Sequence, residues 1–168
     1  NKYFSPARFE KYSWYGGHMG ETNDSNYCFF EAAGMKFMVL SLELLPPDQT
    51  HAGANYLVRH HKTFSVIVPK HSNQLPQCTR SPKRKISGVQ GNNGDDVFNK
   101  LIKGNDNIFM VVCGHVGVEA LNVAVNKSGH NVYEILANYQ DLPNGGNGWL
   151  HTLEFDPAQN AITAGSYS

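Results

Sequence analysis

Two stretches decide the fold of this chain: Ser65-Val66-Ile67-Val68-Pro69-Lys70-His71-Ser72 and Ile108-Phe109-Met110-Val111-Val112-Cys113-Gly114-His115-Val116-Gly117. In each stretch a short apolar run rich in β-branched residues ends at Pro or Gly, which predicts a buried strand. A histidine follows each run, His71 in the first and His115 in the second. Because ligands are held at the ends of such strands in open α/β sheets, these two side chains are candidates for a common site.

The two histidines have two alternative interpretations. Neutral imidazole is a good ligand for zinc, iron, nickel and copper, so His71 and His115 at neighbouring strand ends predict a shared metal ion. A single histidine at a strand end is more often an ordinary polar residue that hydrogen-bonds locally. The residues alone leave both interpretations open.

The segments around these strands predict a mainly β chain. Residues 26–33 and 36–43 are predicted to be strands joined across Gly34, and Pro46-Pro47-Asp48 opens a helix. Residues 1–24 show little periodicity and are predicted to be irregular. Further strands are predicted at 107–113, 119–126, 131–138, 149–155 and 161–167, with one short helix at 95–103. The predicted fold class is α/β, a mainly β layered sandwich with few helices, and residues 1–168 are predicted to form a single domain.

Composition agrees with a folded domain and argues against several partners. The chain has 168 residues, of which 40% are hydrophobic and 11% aromatic, as in globular proteins. Lys plus Arg and Asp plus Glu each number 14, so no net charge attracts nucleic acid or an anionic membrane. No apolar stretch approaches the ~20 residues that span a bilayer. The three cysteines form no C-x-x-C pair, which argues against a disulfide framework and a structural zinc.

One short basic run has two alternative interpretations. Residues 80–85 read Arg-Ser-Pro-Lys-Arg-Lys and could contact phosphate or nucleic acid. No aromatic residues interleave with the charges, and the chain is neutral as a whole, so a solvated loop is the stronger prediction.

The ordered motifs of this chain resemble those of calcineurin-like metallophosphoesterases. Gly114-His115 after an apolar strand resembles the start of that family's Gly-His-x-His motif, and Val68-Pro69-Lys70-His71-Ser72 resembles its strand that ends in a lone metal-binding histidine. The resemblance extends over nearly the whole chain, and a secreted bacterial subgroup is similar in further segments, residues 37–43, 46–48, 132–140, 145–150, 155–157 and 166–168.

The resemblance implies a fold, an activity and a cofactor. The fold would correspond to the C-terminal half of the family's αββα architecture. The activity would be hydrolysis of a small phosphoester with divalent manganese, iron, zinc or nickel, in a secreted or periplasmic location. In this family the two matching histidines serve the same metal, so His71 and His115 are implied to be ligands of one ion.

The chain also departs from the family pattern. The blocks Asp-x-His, Gly-Asp-x-x-Asp and Gly-Asn-His-Asp/Glu do not occur in these residues, and the chain is expected to begin just after the third. Gly117 stands where the last block has its second histidine, and His151 stands where the subgroup has arginine. We therefore expect a fragment of a longer metallophosphoesterase-like domain that is catalytically incomplete by itself. The alternative is a degenerate, non-enzymatic homologue that acts as a binding or structural module.

Overall fold

A computed structural model gives the fold for residues 3–86 and 88–168. Within these residues the strands are β1 (Tyr15–His18), β2 (Asn26–Ala32), β3 (Met35–Ser41), β4 (Ser65–Lys70), β5 (Lys85–Ile86), β6 (Val89–Gln90), β7 (Ile108–Cys113), β8 (Glu119–Val125), β9 (Asn131–Ala137), β10 (Leu150–Asp156) and β11 (Ala161–Tyr167). The helices are α1 (Pro6–Phe9), α2 (Asp48–His60), α3 (Gly94–Lys100) and α4 (Pro143–Gly146), with a 3₁₀ turn at Ile102–Gly104.

Seven strands form one mixed sheet in the order β1-β2-β3-β4-β7-β9-β8. The four central strands, β3, β4, β7 and β9, run parallel, whereas β1, β2 and β8 pair antiparallel at the two sides. The strands β10 and β11 form a separate hairpin. Since the central strands are parallel, their carboxyl ends lie along one edge of the sheet.

Helices cover one face of this sheet. Alternate residues of the central strands, such as Val66 and Val68, are fully buried there, because side chains of a strand point to opposite faces in turn. They pack in one apolar cluster with Ala54 and Val58 of α2 and with Val97 of α3. The core therefore lies between the sheet and the two crossover helices.

The opposite face is only partly covered. The β10–β11 hairpin lies over it, and the ring of Phe155 makes edge contacts with Phe37 of β3 and Phe109 of β7. Beyond the hairpin, Leu121, Val123 and Val125 of β8 stand on the same face and are 54%, 47% and 54% exposed. The sheet thus presents an uncovered apolar strip next to a second layer of two strands.

The predicted fold class agrees with this architecture at the level of a mainly β chain with a mixed sheet and few helices. Most predicted boundaries differ from the observed ones by one to three residues, and two differences have a structural explanation. The strand β4 continues through Pro69 to Lys70. The Pro69 carbonyl accepts a hydrogen bond from the Leu42 N–H at 3.1 Å. The segment 1–24, predicted to be irregular, contains β1. Glycine at position 16 lets this strand pass close to Tyr27, because a Cβ there would come within 2.3 Å of the Tyr27 ring. Among the described residues, no helix is both long and apolar enough to cross a bilayer.

A buried ion pair ties the long connection between β4 and α3 to the sheet. The Glu134 carboxylate of β9 is 1% exposed. It forms an ion pair with Arg80 Nη2 at 2.8 Å and accepts a hydrogen bond from Arg80 Nε at 2.9 Å. The Asn73 and Asn122 side-chain amides also donate to it. The prediction of a solvated loop is therefore wrong for Arg80, which pairs with a buried carboxylate. No local pattern reveals this pair, because Glu134 lies 54 residues away in the sequence.

Replacing Arg80 with Ala should destabilise the fold strongly. The change leaves the Glu134 charge buried without its cation, which costs about 3–5 kcal/mol of unfolding free energy. The matched control is Arg84→Ala, which removes an arginine that is 60% exposed and paired with Asp96 and should cost under about 1 kcal/mol. Urea unfolding followed by circular dichroism measures both, and equal losses would contradict the structural role of Arg80.

His51 of α2 is a second buried polar side chain. It is 3% exposed, and neither ring nitrogen has a hydrogen-bond partner among the described residues. Burial lowers the pKa of His51 from 6.5 to about 4, and the nearby Lys100 charge adds to the effect. The folded protein therefore holds His51 as neutral imidazole.

The stability of the chain should fall as the pH drops between 6.5 and about 4. Over this window the unfolded chain binds a proton at His51 and the folded chain does not. This difference lowers the free energy of unfolding by about 3 kcal/mol at the acid end of the window and has no effect above pH 6.5. A His51→Leu variant should lose this part of the pH dependence, whereas the exposed His130→Gln control should keep it. Urea midpoints measured from pH 7 to pH 4 test the prediction, and parallel pH curves for wild type and His51→Leu would contradict it.

Candidate functional site

The carboxyl edge of the parallel strands brings the two predicted histidines together. His71 directly follows β4 and His115 comes just after β7. Their ring centroids are 4.4 Å apart with the ring planes tilted by 35°, and the His71 carbonyl accepts from the Gly114 N–H at 3.2 Å. Two nitrogens bound to one zinc ion lie within roughly 4 Å of each other. The two rings therefore lie side by side at this edge, and their role as ligands of one ion stays a prediction.

The backbone at His115 is held in an unusual conformation. Its φ is +72°, a left-handed region in which a residue other than glycine costs about 1–3 kcal/mol. The Asn138 Oδ1 accepts from the His115 N–H at 3.2 Å, and the Asn138 Nδ2 donates to the Gly117 carbonyl at 2.7 Å. The Gln140 side chain donates to the His115 carbonyl at 3.2 Å. Asn138, at the carboxyl end of β9, therefore positions His115.

Sequence reasoning missed Asn138, although a signal for it existed. It ends the predicted strand 131–138 as His71 and His115 follow theirs. A prediction that β9 runs parallel to β7 would have placed all three at one edge.

The electrostatics of the edge favour neutral imidazole at one of the two positions. Partial burial lowers the pKa of His71, and the neighbouring His115 lowers it further. Neutral imidazole is the form that binds metal. Within residues 3–86 and 88–168, however, no group of three or more His, Cys, Asp or Glu side chains is arranged to hold an ion. Two imidazoles fall short of the roughly three or four ligands that protein zinc sites use, so metal binding at His71 and His115 stays a prediction.

Two cavities meet near this edge. The smaller has a volume of about 570 Å³ and is lined by His71, Cys113, Ala137 and the hairpin residue His151. The larger, about 840 Å³, lies between the sheet and the hairpin and is mostly apolar. His151 lines both cavities, so it stands between the apolar space and the cleft beside His71.

Gly117 is fixed by close packing. Its φ is +77°, and a Cβ at this position would come within 2.0 Å of the Pro76 Cγ. A histidine at position 117 would be strained at this positive φ and would need a displaced Pro76. The departure from the Gly-His-x-His pattern is therefore built into the packing of this loop.

Comparisons with known proteins give a relative without a known activity. No protein-family model matches the chain. A Bacillus subtilis (strain 168) protein described as "Uncharacterized protein YvnB" is 29% identical over 173 aligned positions. The alignment covers 99% of this chain and 13% of that protein, so the chain spans about an eighth of the length of the relative it matches.

Replacing Gly117 with Ala should destabilise the site loop more than a glycine replacement elsewhere. Both the positive φ and the contact with Pro76 oppose a Cβ, so the loss should be about 2–4 kcal/mol. Gly129→Ala is the matched control, because Gly129 has φ +85° and open space around its Cβ and should cost about 1 kcal/mol. Urea unfolding measures both variants. Similar losses would show that Pro76 moves freely and that the loop could hold a larger residue.

Proposed function

We propose that this chain is part of a metal-dependent phosphoester hydrolase of the calcineurin-like type, in which it supplies the ligands His71 and His115 to one metal ion. The observation that carries the proposal is the meeting of these two imidazoles, 4.4 Å apart, at the carboxyl edge of adjacent parallel strands. Iron, zinc or nickel would suit imidazole ligands, and manganese is included because the family resemblance implies it. When bound, such ions polarise a phosphoryl oxygen and lower the pKa of water.

The protein groups of the edge have separate parts in this proposal. His71 and His115 hold the ion, and Asn138 keeps the His115 backbone in its left-handed conformation. The cleft of about 570 Å³ beside His71 gives a small phosphoester room to approach. The other ligands and the second metal position would come from polypeptide outside this chain, so the chain by itself is proposed to be catalytically incomplete.

The layering of the sheet supports a larger domain. A helix layer and a seven-stranded sheet are present, but the second β layer consists of two strands among the described residues. The exposed strip of Leu121, Val123 and Val125 is apolar, and monomers rarely leave such patches uncovered. We propose that these layers correspond to the C-terminal half of an αββα fold. The neutral net charge gives no general electrostatic attraction to nucleic acid. The small phosphoester and the secreted or periplasmic location are proposed from the family resemblance.

A non-enzymatic module is the second candidate, and one observation favours it. The packing of Gly117 against Pro76 leaves no room for a second histidine in the last motif. A chain that has lost this ligand could persist as a binding or structural part of a longer protein, with His71 and His115 as ordinary polar residues.

Titration of the purified chain with Zn²⁺, Ni²⁺ or Mn²⁺ tests the first proposal. The ring signals of His71 and His115 should respond together in NMR spectra, with weak affinity, because two imidazoles fall short of a full ligand set. Either His71→Ala or His115→Ala should remove the response, and the exposed His130→Ala control should keep it. Turnover of a chromogenic phosphodiester with any of these ions should stay at background.

Two results would change the assignment. A metal response that both alanine variants retain would remove the proposed site and leave the non-enzymatic module. Metal-dependent turnover that either variant abolishes would instead show that the chain is catalytically complete.

A further inference from the structure

The two outer strands of the seven-stranded sheet differ in how well their free edges are protected. The strand β1 has four residues, and its register with β2 shifts between Tyr15 and Gly17. Short strands and bulges of this kind keep a sheet edge from pairing with another chain. The strand β8 has seven residues in regular register with β9 and no second partner strand in the part of the chain that the structure describes. One edge is therefore blunted, and the other is open.

The open edge of β8 has an uncharged sequence. Residues 120–125 read Ala-Leu-Asn-Val-Ala-Val, without a charge, a proline or a glycine. Natural edge strands are commonly protected by a charge or a proline, and six-residue segments of high β-propensity that lack both tend to pair between chains. The side chains of Leu121, Val123 and Val125 are about half exposed. The sequence of β8 thus permits the addition of another strand.

The free hydrogen-bonding groups of β8 belong to its odd-numbered residues. The Asn126 N–H, just past the strand, donates to the His130 carbonyl at 3.0 Å. Because hydrogen-bonded pairs alternate along an antiparallel ladder, the even-numbered residues of β8 bond to β9. The backbone N–H and C=O groups of Leu121, Val123 and Val125 therefore point away from the sheet.

A charge of each sign flanks this apolar edge. Glu119 begins β8, and Lys127 follows the strand and is exposed. The Ser166 and Tyr139 hydroxyls donate to the Glu119 carboxylate, and the His151 Nδ1 lies 3.5 Å from it. The hydrogen bond from Ser166, followed by that from Tyr139, lowers the pKa of Glu119. An anion is therefore held in place at one end of the edge, and a cation stands at the other.

We propose that β8 is the interface of a homodimer, in which β8 of a second copy of this chain pairs with it antiparallel about Val123. In this register Val123 lies opposite its own copy and Leu121 opposite Val125. Every pair uses outward-facing backbone groups, and the apolar side chains meet across the strands on one face. Glu119 of each copy takes the position opposite Lys127 of the other, so opposite charges meet at both ends. Such a self-complementary contact closes with two copies.

The dimer does not depend on the proposed hydrolase function. Its contacts come from β8 and Lys127, whereas the proposed metal ligands His71 and His115 lie outside that strand. Either proposal can therefore fail while the other holds.

Sedimentation velocity of the purified chain at increasing concentration tests the dimer. The mass should rise from the 18.6 kDa of one chain toward twice that value. Val123→Lys should raise the dissociation constant about ten- to hundredfold, because it places two like charges directly opposite each other. Thr163→Lys is the matched control, since Thr163 is exposed on β11, and it should leave the constant unchanged. A chain that is still monomeric at millimolar concentration would overturn the proposal, as would a dimer that Val123→Lys retains.

Reversing the charge at Lys127 tests the register. Lys127→Glu should raise the dissociation constant about three- to tenfold, because exposed ion pairs are worth little individually and the dimer contains two of them. Lys83→Glu makes the same change of net charge in an exposed loop and should have no effect. Equal effects of the two substitutions would contradict the pairing of Glu119 with Lys127.

Amide hydrogen exchange separates pairing of edges from packing of faces. In the dimer the amides of Leu121, Val123 and Val125 should exchange as slowly as those of the even-numbered residues of β8. In the Val123→Lys variant the odd-numbered amides should exchange fast while the even-numbered ones stay slow. Fast odd-numbered amides in a wild-type dimer would show that the copies meet elsewhere and would overturn the proposal. A monomer with the same fast amides would overturn it too and leave the edge to another segment of a longer polypeptide.

Discussion

Parallel pairing of β4 with β7 is the constraint on which the rest of the structure depends. Val68 pairs with Val111 and Lys70 with Cys113, so the two strands end level with each other. The crossover between parallel strands needs a long connection, and here it contains α3 and the segment that carries Arg80. The same pairing that buries the core also sets His71 beside His115. The candidate site is therefore a direct product of strand register.

Polar side chains, as well as apolar ones, hold the helix side of the sheet in place. The Glu134 carboxylate accepts hydrogen bonds from the side chains of Arg80, Asn73 and Asn122. A buried carboxylate is tolerated when its charge and lone pairs are matched in this way. Arg80 also stacks over the Phe98 ring, with its guanidinium carbon 3.6 Å from the ring centroid. One arginine thus joins the connection, β9 and α3.

The parts of the fold that could be predicted are those with local signals. β-branched runs ended by Gly or Pro indicate the central strands, and the order of those strands indicates that His71 and His115 share an edge. The ion pair of Arg80 with Glu134 and the His151 network with Glu119 could not be predicted. They depend on which residues become neighbours after strands distant in sequence have paired. The residue pattern of one segment does not identify the segment with which it pairs. The left-handed backbone at His115 could not be predicted either, because the side chain that stabilises it, Asn138, follows another strand.

The separate hairpin has a consequence for the lifetime of the cleft. The backbone hydrogen bonds of β10 and β11 run between those two strands in the part of the chain that the structure describes, so side chains such as Phe155 attach the hairpin to the sheet. Such a unit can open while the sheet remains folded, with a free energy below that of global unfolding. His151 would leave with the hairpin, and His71 and His115 would stay. Amide hydrogen exchange should therefore be faster in the hairpin than in β4 and β7, and the cleft would be assembled and lost in a local equilibrium.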